Sequence, residues 1–345
     1  MSILTKETQN ELAALIEKAL IADSNLITSY LSGSITEGFA TSKSDFDVYA
    51  IVSSENKQCN TEIFIPFNDK ICELTVVSID KINEIISNLN SQEIISWYES
   101  HLLHRLLTGI SIHHESALFS LKNSIPKDEL CKFLLNKAKK FGEKCFSDCM
   151  GNMIDNDYIT AAFNAERTLH ASIDCMLAFH NSTSTLIKWR VKNAIKKFGK
   201  DNEYFKSYLL VCSKINVIND TSALEYIQAV GRVWQATLDY IQGKECCDVE
   251  IELRQERLLG HLKIKDNNSI IKKPLYRVIF ERSKLVLIES SAICEITADA
   301  YKVWLSIDNS KDIDKVISDL SENDIDSNTT KFYIDEFSKI GAILR

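Results

Sequence analysis

Apolar residues recur at helical spacing between residues 6 and 21, "KETQNELAALIEKALI", where Leu12, Leu15, Ile16 and Leu20 fall on one face. The pattern then shortens to period two. "NLITSYLSG" reads as a strand closed by a glycine turn, and "SDFDVYAIV" as a second strand. "EIFIPF-NDK-ICELTVVS" predicts a hairpin whose turn is marked by Asn68 and Asp69. Helical spacing resumes around residues 80 to 106, so this order predicts a compact α+β unit ending near residue 118. Pro126 suits the first turn of a helix, where a missing N–H matters little. From there to about residue 243 the segments "DELCKFLLNKAKKF", "YITAAFNAERTLHASIDCMLAFH", "TLIKWRVKNAIKKFG", "EYFKSYLLVCSKI" and "ALEYIQAVGRVWQATLDYI" predict a bundle of helices with short polar connections. Residues 246–274 are polar without a sustained period and read as a linker. The last seventy residues change style once more. "YRVIFER", "KLVLIE" and "AICEIT" predict short strands, followed by helices at about 298–307, 311–321 and 329–341.

Composition changes this picture little. The 345 residues allow two or three domains, and 45% hydrophobic with 26% charged residues is ordinary for a globular chain. With only three prolines and ten glycines, long helices are expected. A net charge of −8 argues against a role in coating nucleic acid, which wants a basic surface. The ten cysteines lack the paired spacing of a zinc site. Cys72, Cys175 and Cys294 lie in apolar runs, where a thiol packs as a small hydrophobe. No charged-then-apolar leader and no apolar run near 18 residues is found, so a reducing cytosol is the expected compartment, without a membrane partner.

The stretch "LSGSITEGFATSKSDFDVYAIV" carries the chemistry. Residues i and i+2 of a strand share a face, roughly 7 Å apart along the backbone. Asp45 and Asp47 therefore converge on one side, while Phe46 and Val48 turn to the core. Two parallel carboxylates repel and need compensation, which phosphoryl-transfer sites obtain from a pair of divalent cations about 4 Å apart. Mg²⁺ fits best, since it takes a few carboxylates plus water and substrate phosphates. Glu73 on the second hairpin strand can supply a third carboxylate. Gly33 permits close backbone approach, and the Ser34 hydroxyl with nearby N–H groups can hold a phosphate.

"LSGS", ten residues, "DFDVYAIV" and then "CELTVV" resembles the polymerase β-type nucleotidyltransferase superfamily over residues 24–118. The resemblance implies that Asp45, Asp47 and Glu73 are the catalytic and metal-binding set, holding two Mg²⁺ ions. It further implies that Gly33 and Ser34, with Ser44 ahead of the first aspartate, contact an NTP, ATP being favoured. One departure stands out. Members often carry an arginine shortly after the Gly-Ser, whereas this loop reads Ile35-Thr36-Glu37-Gly38, with a carboxylate that repels a triphosphate unless it points away or binds a cation. Lys188 and Lys192, an i, i+4 pair in the basic segment "LIKWRVKNAIKKFGK", are candidates to neutralise the triphosphate instead, though such a face is more commonly just solvated. "ERTLH", with Arg167 and His170, is faintly similar to the Arg–His spacing of helical ribonucleases, but such pairs are far more often structural. His101, His104, His113 and His114 lack zinc-ligand spacing and read as surface or core residues.

The final segment resembles the small winged-helix domain of the pyrroloquinoline-quinone biosynthesis chaperone, which also recognises leader peptides in ribosomal peptide maturation. The features are Thr297-Ala298-Asp299-Ala300 opening a helix, Trp304, Leu305 and Ile307 on its apolar face, and Phe337, Ile340 and Gly341 near the end. This resemblance implies a peptide held as an added strand. The expected architecture is thus α+β: a nucleotidyltransferase mixed sheet with helices at 1–118, a helical bundle facing substrate and nucleotide at 119–245, the linker, and a winged-helix-like domain at 275–345. The expected activity is Mg²⁺-dependent transfer of a nucleoside monophosphate to an acceptor, with release of pyrophosphate. The acceptor is a ribosomally made peptide held by the last domain or, alternatively, a small molecule of the aminoglycoside type. A peptide-binding scaffold with an idle catalytic fold is the reading from another class.

Overall fold

The computed structural model describes residues 5–20, 25–55, 59, 61–184, 186–213, 217, 219–259, 269–289, 292–322 and 325–344. The chain divides into two compact units, Met1–Leu134 with Asn181–Asn193, and Leu135–His180 with Ala194–Arg345.

In the first unit α1 (Lys6–Ala19) begins at Thr5, whose side chain accepts from the Thr8 N–H. β1 (Leu26–Ser32) leads through the short α2 (Ser34–Glu37) to β2 (Phe46–Val52). β3 (Thr61–Phe67) and β4 (Lys70–Ser78) form the hairpin, with Asn68 at its turn in the left-handed region, φ 55°. Next come α3 (Ile79–Asn90), α4 (Trp97–Thr108), β5 (Ile110–His113) and α5 (Glu115–Ser124). The sheet order is β3-β4-β2-β1-β5, with β2 and β4 parallel and the other neighbours antiparallel. Pro66 sits in the edge strand β3, where the missing N–H disturbs no central ladder. One sheet face packs Leu12, Ile16, Leu31, Val48, Leu74 and Val76, and the other packs Tyr30, Ile51, Ile82, Leu103 and Leu106. β5 was not expected from the pattern: it is four residues long and adds to β1 directly after a helix. The returning segment 181–193 supplies a 3-10 turn, Ile187–Trp189.

The second unit is built on long helices: α6 (Lys127–Ile154, from Leu135 onward), α7 (Tyr158–Phe179), α8 (Arg190–Phe198, from Ala194 onward), α9 (Glu203–Ser213) and α10 (Asp220–Cys247). The expected single helix through "LIKWRVKNAIKKF" is therefore split, 3-10 first and α from Arg190. The expected linker, 246–274, includes residues 260–268, which lie outside the described residues. Around them α11 (Gln255–Leu259) and β6 (Ile271–Lys272) are ordered elements. β7 (Arg277–Glu281), β8 (Lys284–Glu289) and β9 (Ala292–Ile296) form an antiparallel meander, followed by α12 (Ala298–Ser306), α13 (Ile313–Ser321), α14 (Ser327–Lys339) and β10 (Ile343–Leu344), which pairs with β6. Trp304, Leu305, Ile307 and Phe337 are buried as expected, whereas Ile340 is 44% exposed.

Buried polar side chains of α10 tie this segment down. Gln242 accepts from the Phe280 N–H at 2.7 Å and donates to the Val278 carbonyl at 2.8 Å; Gln235 donates to the Lys273 and Tyr276 carbonyls. Asp239 takes the Lys272 ammonium at 2.7 Å and the Trp304 indole N–H at 3.1 Å, all three groups being buried. All ten cysteines are free thiols. Burial pushes the Cys72 thiol up to about 12, and Cys175 is buried as well. Cys294 departs from expectation: it is exposed, because β9 is the last strand of its sheet.

Candidate functional site

The carboxylates converge through sheet register. β2 alternates buried Phe46, half-buried Asp47, buried Val48 and half-buried Tyr49, so the apolar residues of the run bury themselves and the aspartate is left on the open face. Across the parallel β2–β4 ladder Asp47 pairs with Glu73, and across β1–β2 it pairs with Ser32. Asp45 precedes the strand and is exposed. Burial raises the Asp47 carboxyl above the usual range, against the pull of Arg105 and Lys188, with Asp45 adding to the rise. Glu73 is raised by burial first and then by the Asp47 charge. Acids raised by their acidic neighbours, Asp47 by Asp45 and Glu73 by Asp47, form a site short of positive charge.

Gly33, at φ 83°, lies directly against the Asp47 side chain. A Cβ there would overlap the Asp47 carboxylate and come within 2.6 Å of Arg105 Nη1. The close approach that the glycine allows is therefore made by side chains of the protein itself. The Ser34 backbone N–H donates to the Asp47 carboxylate. Ser44 holds the loop ahead of Asp45: its hydroxyl accepts from the Thr41 N–H at 2.8 Å, and its carbonyl accepts from Lys70 at 2.9 Å.

A polar cluster supports the acids from α4. Trp97, His101 and Arg105 follow one another at four-residue spacing and so share a face. The Trp97 and His101 rings stack at 5.3 Å. His101 Nε2 accepts from Arg105 Nε at 3.0 Å, and burial first, then Arg105, drives the imidazole pKa down to about 3. His101 is neutral at any ordinary pH. Arg105 is buried, and its Nη1 stands 3.7 Å from Asp47 Oδ2 without a hydrogen-bond partner among the described residues. Glu37 is engaged by α4. It is buried and receives His104 Nε2 at 3.2 Å, while His104 Nδ1 meets the Thr183 hydroxyl at 2.8 Å. The loop carboxylate is thus held by a partner inside the protein.

The two lysines separate in role. Lys188 lies in the 3-10 turn, its ammonium 5.2 Å from the Trp189 ring centre, and its charge acts on Asp47. Arg105 sits against the same ring at 5.1 Å. Lys192 donates to the Phe39 carbonyl at 2.8 Å. No local signal in the sequence marks Arg105 or Trp189. In the second unit Arg167 rests on Phe141 while His170 bonds to the Tyr208 hydroxyl at 2.9 Å, so the two are not drawn to one point.

Among the described residues no group of three or more His, Cys, Asp or Glu stands ready to hold a metal ion. The donor chemistry of Asp47 and Glu73, oxygen only and carboxylate only, is nevertheless that of a hard divalent cation.

The class defined by these elements is a mixed α+β fold, a five-stranded mixed sheet with helices followed by a helical region and small sheets. The chain is similar to the crystal structure of a nucleotidyltransferase-like protein from Exiguobacterium sibiricum 255-15, at 16% identity and a TM-score of 0.40, over 85% of this chain and 100% of that one. No family model matches the sequence, and no curated protein matches it. No helix among the described residues is long and apolar enough to cross a membrane.

Proposed function

We propose that the chain is a Mg²⁺-dependent nucleotidyltransferase that moves a nucleoside monophosphate from an NTP, ATP favoured, to an acceptor and releases pyrophosphate. The observation that carries this reading is the register match of Asp47 with Glu73 beside the Gly33-Ser34 turn, with Asp45 at the head of the same strand. Asp47 and Glu73 would hold the ion, with Asp45, exposed just ahead of the strand, as the further carboxylate. Mg²⁺ would polarise the phosphoryl oxygens and offset the charge of the leaving pyrophosphate. The chain's own part is positional. The Ser34 N–H aims the Asp47 carboxylate, Gly33 leaves it room, and Lys188 presents a cation from the solvent side. Glu73, raised by burial and by Asp47, is suited to accept the proton of an attacking hydroxyl.

Pyrophosphate release from each NTP, measured with full-length protein, Mg²⁺ and peptide or aminoglycoside acceptors, tests the reading. Asp45→Asn and Asp47→Asn each abolish release while the protein still melts cooperatively. Wild-type turnover that survives thorough chelation overturns the metal assignment.

A peptide acceptor is the reading favoured by β9. It is the last strand of its sheet among the described residues, with Ile293 74% exposed, and an extended segment can add to such an edge. Substitution of a proline in the middle of the captured peptide should abolish binding, since proline cannot donate to the ladder.

A further inference from the structure

Arg105 shares burial and an unpartnered Nη1 with Arg257 and Arg277, and differs from them in standing against the Gly33 turn beside the paired acids. It is 5% exposed, its Nη1 lacks a hydrogen-bond partner among the described residues, and that nitrogen points at the carboxylate side of Gly33. The distance to Asp47 Oδ2, 3.7 Å, is too long for a hydrogen bond and short enough for strong attraction. Elsewhere the guanidinium is held: Nε donates to His101, and its carbon stands 5.1 Å from the Trp189 ring centre. Ser32 Oγ donates to the Arg105 carbonyl at 3.0 Å, which ties the helix to the end of β1. A buried guanidinium held on both sides, with one N–H still unsatisfied, is built to receive an anionic oxygen. Asp47 supplies charge but not the bond.

We propose that Arg105 is a positioning residue with two successive partners: it stands in as the cation for Asp47 in the empty protein, and its Nη1 passes to a phosphate oxygen when a polyphosphate enters. The inference rests on the nucleotidyltransferase reading of Asp47. When Nη1 turns to the phosphate, Asp47 loses its resident counter-charge and gains affinity for a divalent cation. When a divalent cation occupies Asp47, Arg105 is released towards the phosphate. Polyphosphate and divalent cation therefore assist one another, and the assistance is equal in both directions. Lys188, on the solvent side of the same Trp189 ring, adds charge to the phosphate without having to leave a partner inside the protein.

The test uses full-length protein and two probes that need no knowledge of base or acceptor: Mn²⁺ alone, and inorganic tripolyphosphate in metal-free buffer. Arg105→Met should bind Mn²⁺ more tightly and tripolyphosphate more weakly, each on the order of tenfold, the scale of one charge removed from about 4 Å at a partly exposed site. Asp47→Asn should bind metal-free tripolyphosphate more tightly than Asp45→Asn does. Both variants remove one negative charge, but only the first releases Arg105, and the advantage should vanish in the Asp47→Asn/Arg105→Met double variant. Should Arg105→Met fail to fold, the comparison of Asp47→Asn with Asp45→Asn decides alone. Unchanged or weaker Mn²⁺ binding in Arg105→Met, or equal gains in the two aspartate variants, overturns the exchange and leaves the nucleotidyltransferase reading standing. A wild-type protein that binds neither probe overturns both.

Discussion

Asp47 and Glu73 are held above the ordinary carboxylate range, so the native state keeps protons that the unfolded chain has already released. Their contribution to stability is complete below the unfolded pKa, about 4. It is lost as pH rises through the raised values. The metal-free protein should thus soften from about pH 4 upward on their account. Glu73→Gln removes part of that loss and should raise the metal-free melting temperature at neutral pH, with little effect near pH 4. Thermal melts across this range check it, and a lower melting temperature at neutral pH contradicts the assignment. Gly33→Ala acts at the same point by shape. The residue must hold φ 83° and its Cβ overlaps Asp47, so a loss of about 1–3 kcal/mol is expected in denaturant titrations.

At the scale of elements, strands with period-two patterning were legible, and so were the hairpin turn and the long helices. β2 owes its legibility to Phe46 and Val48, which bury while Asp47 does not. β5 was hidden because its four residues, following directly on the Gly109 cap of α4, are too few to establish a period of two. Of the candidate site, the pairing of Asp47 with Glu73 was legible, because the pattern marks both their strands, β2 and β4, which are neighbours in the sheet. Arg105 was not, since nothing in "HLLHRLLT" separates a buried arginine from a solvated one. Only the fold brings Trp189 beneath it. α10 shows a related limit. Gln235, Asp239 and Gln242 look like ordinary polar helix residues, yet they are buried and hold the backbone of the β7 region, Lys272 and Trp304. Asp239→Asn leaves the Lys272 ammonium buried without its counter-ion and should destabilise the second unit by about 3–5 kcal/mol. An equilibrium unfolding curve that does not move would contradict that role.

For the whole molecule, the two-unit division changes what can be cut. The core of the last seventy residues includes Ile251 and Ile270, and Tyr240, Cys247 and Val249 pack against it. A fragment spanning residues 275–345 leaves those partners behind, and with them Gln242 and Asp239. Its amides should exchange faster than the same amides in the full chain, as hydrogen-exchange measurements can show; equal protection would make the segment autonomous. The first unit has its own consequence, one of timing. It is closed by Asn181–Asn193, which follows Leu134 only after the whole of α7 has been made. At roughly 5–20 residues per second of synthesis, the strands bearing Asp47 and Glu73 emerge seconds before the indole on which Arg105 rests. A nascent chain therefore carries its acids and its arginine for a time without the ring on which the arginine rests, and any ribosome stall in that interval leaves the first unit incomplete and exposed to the cell's proteases.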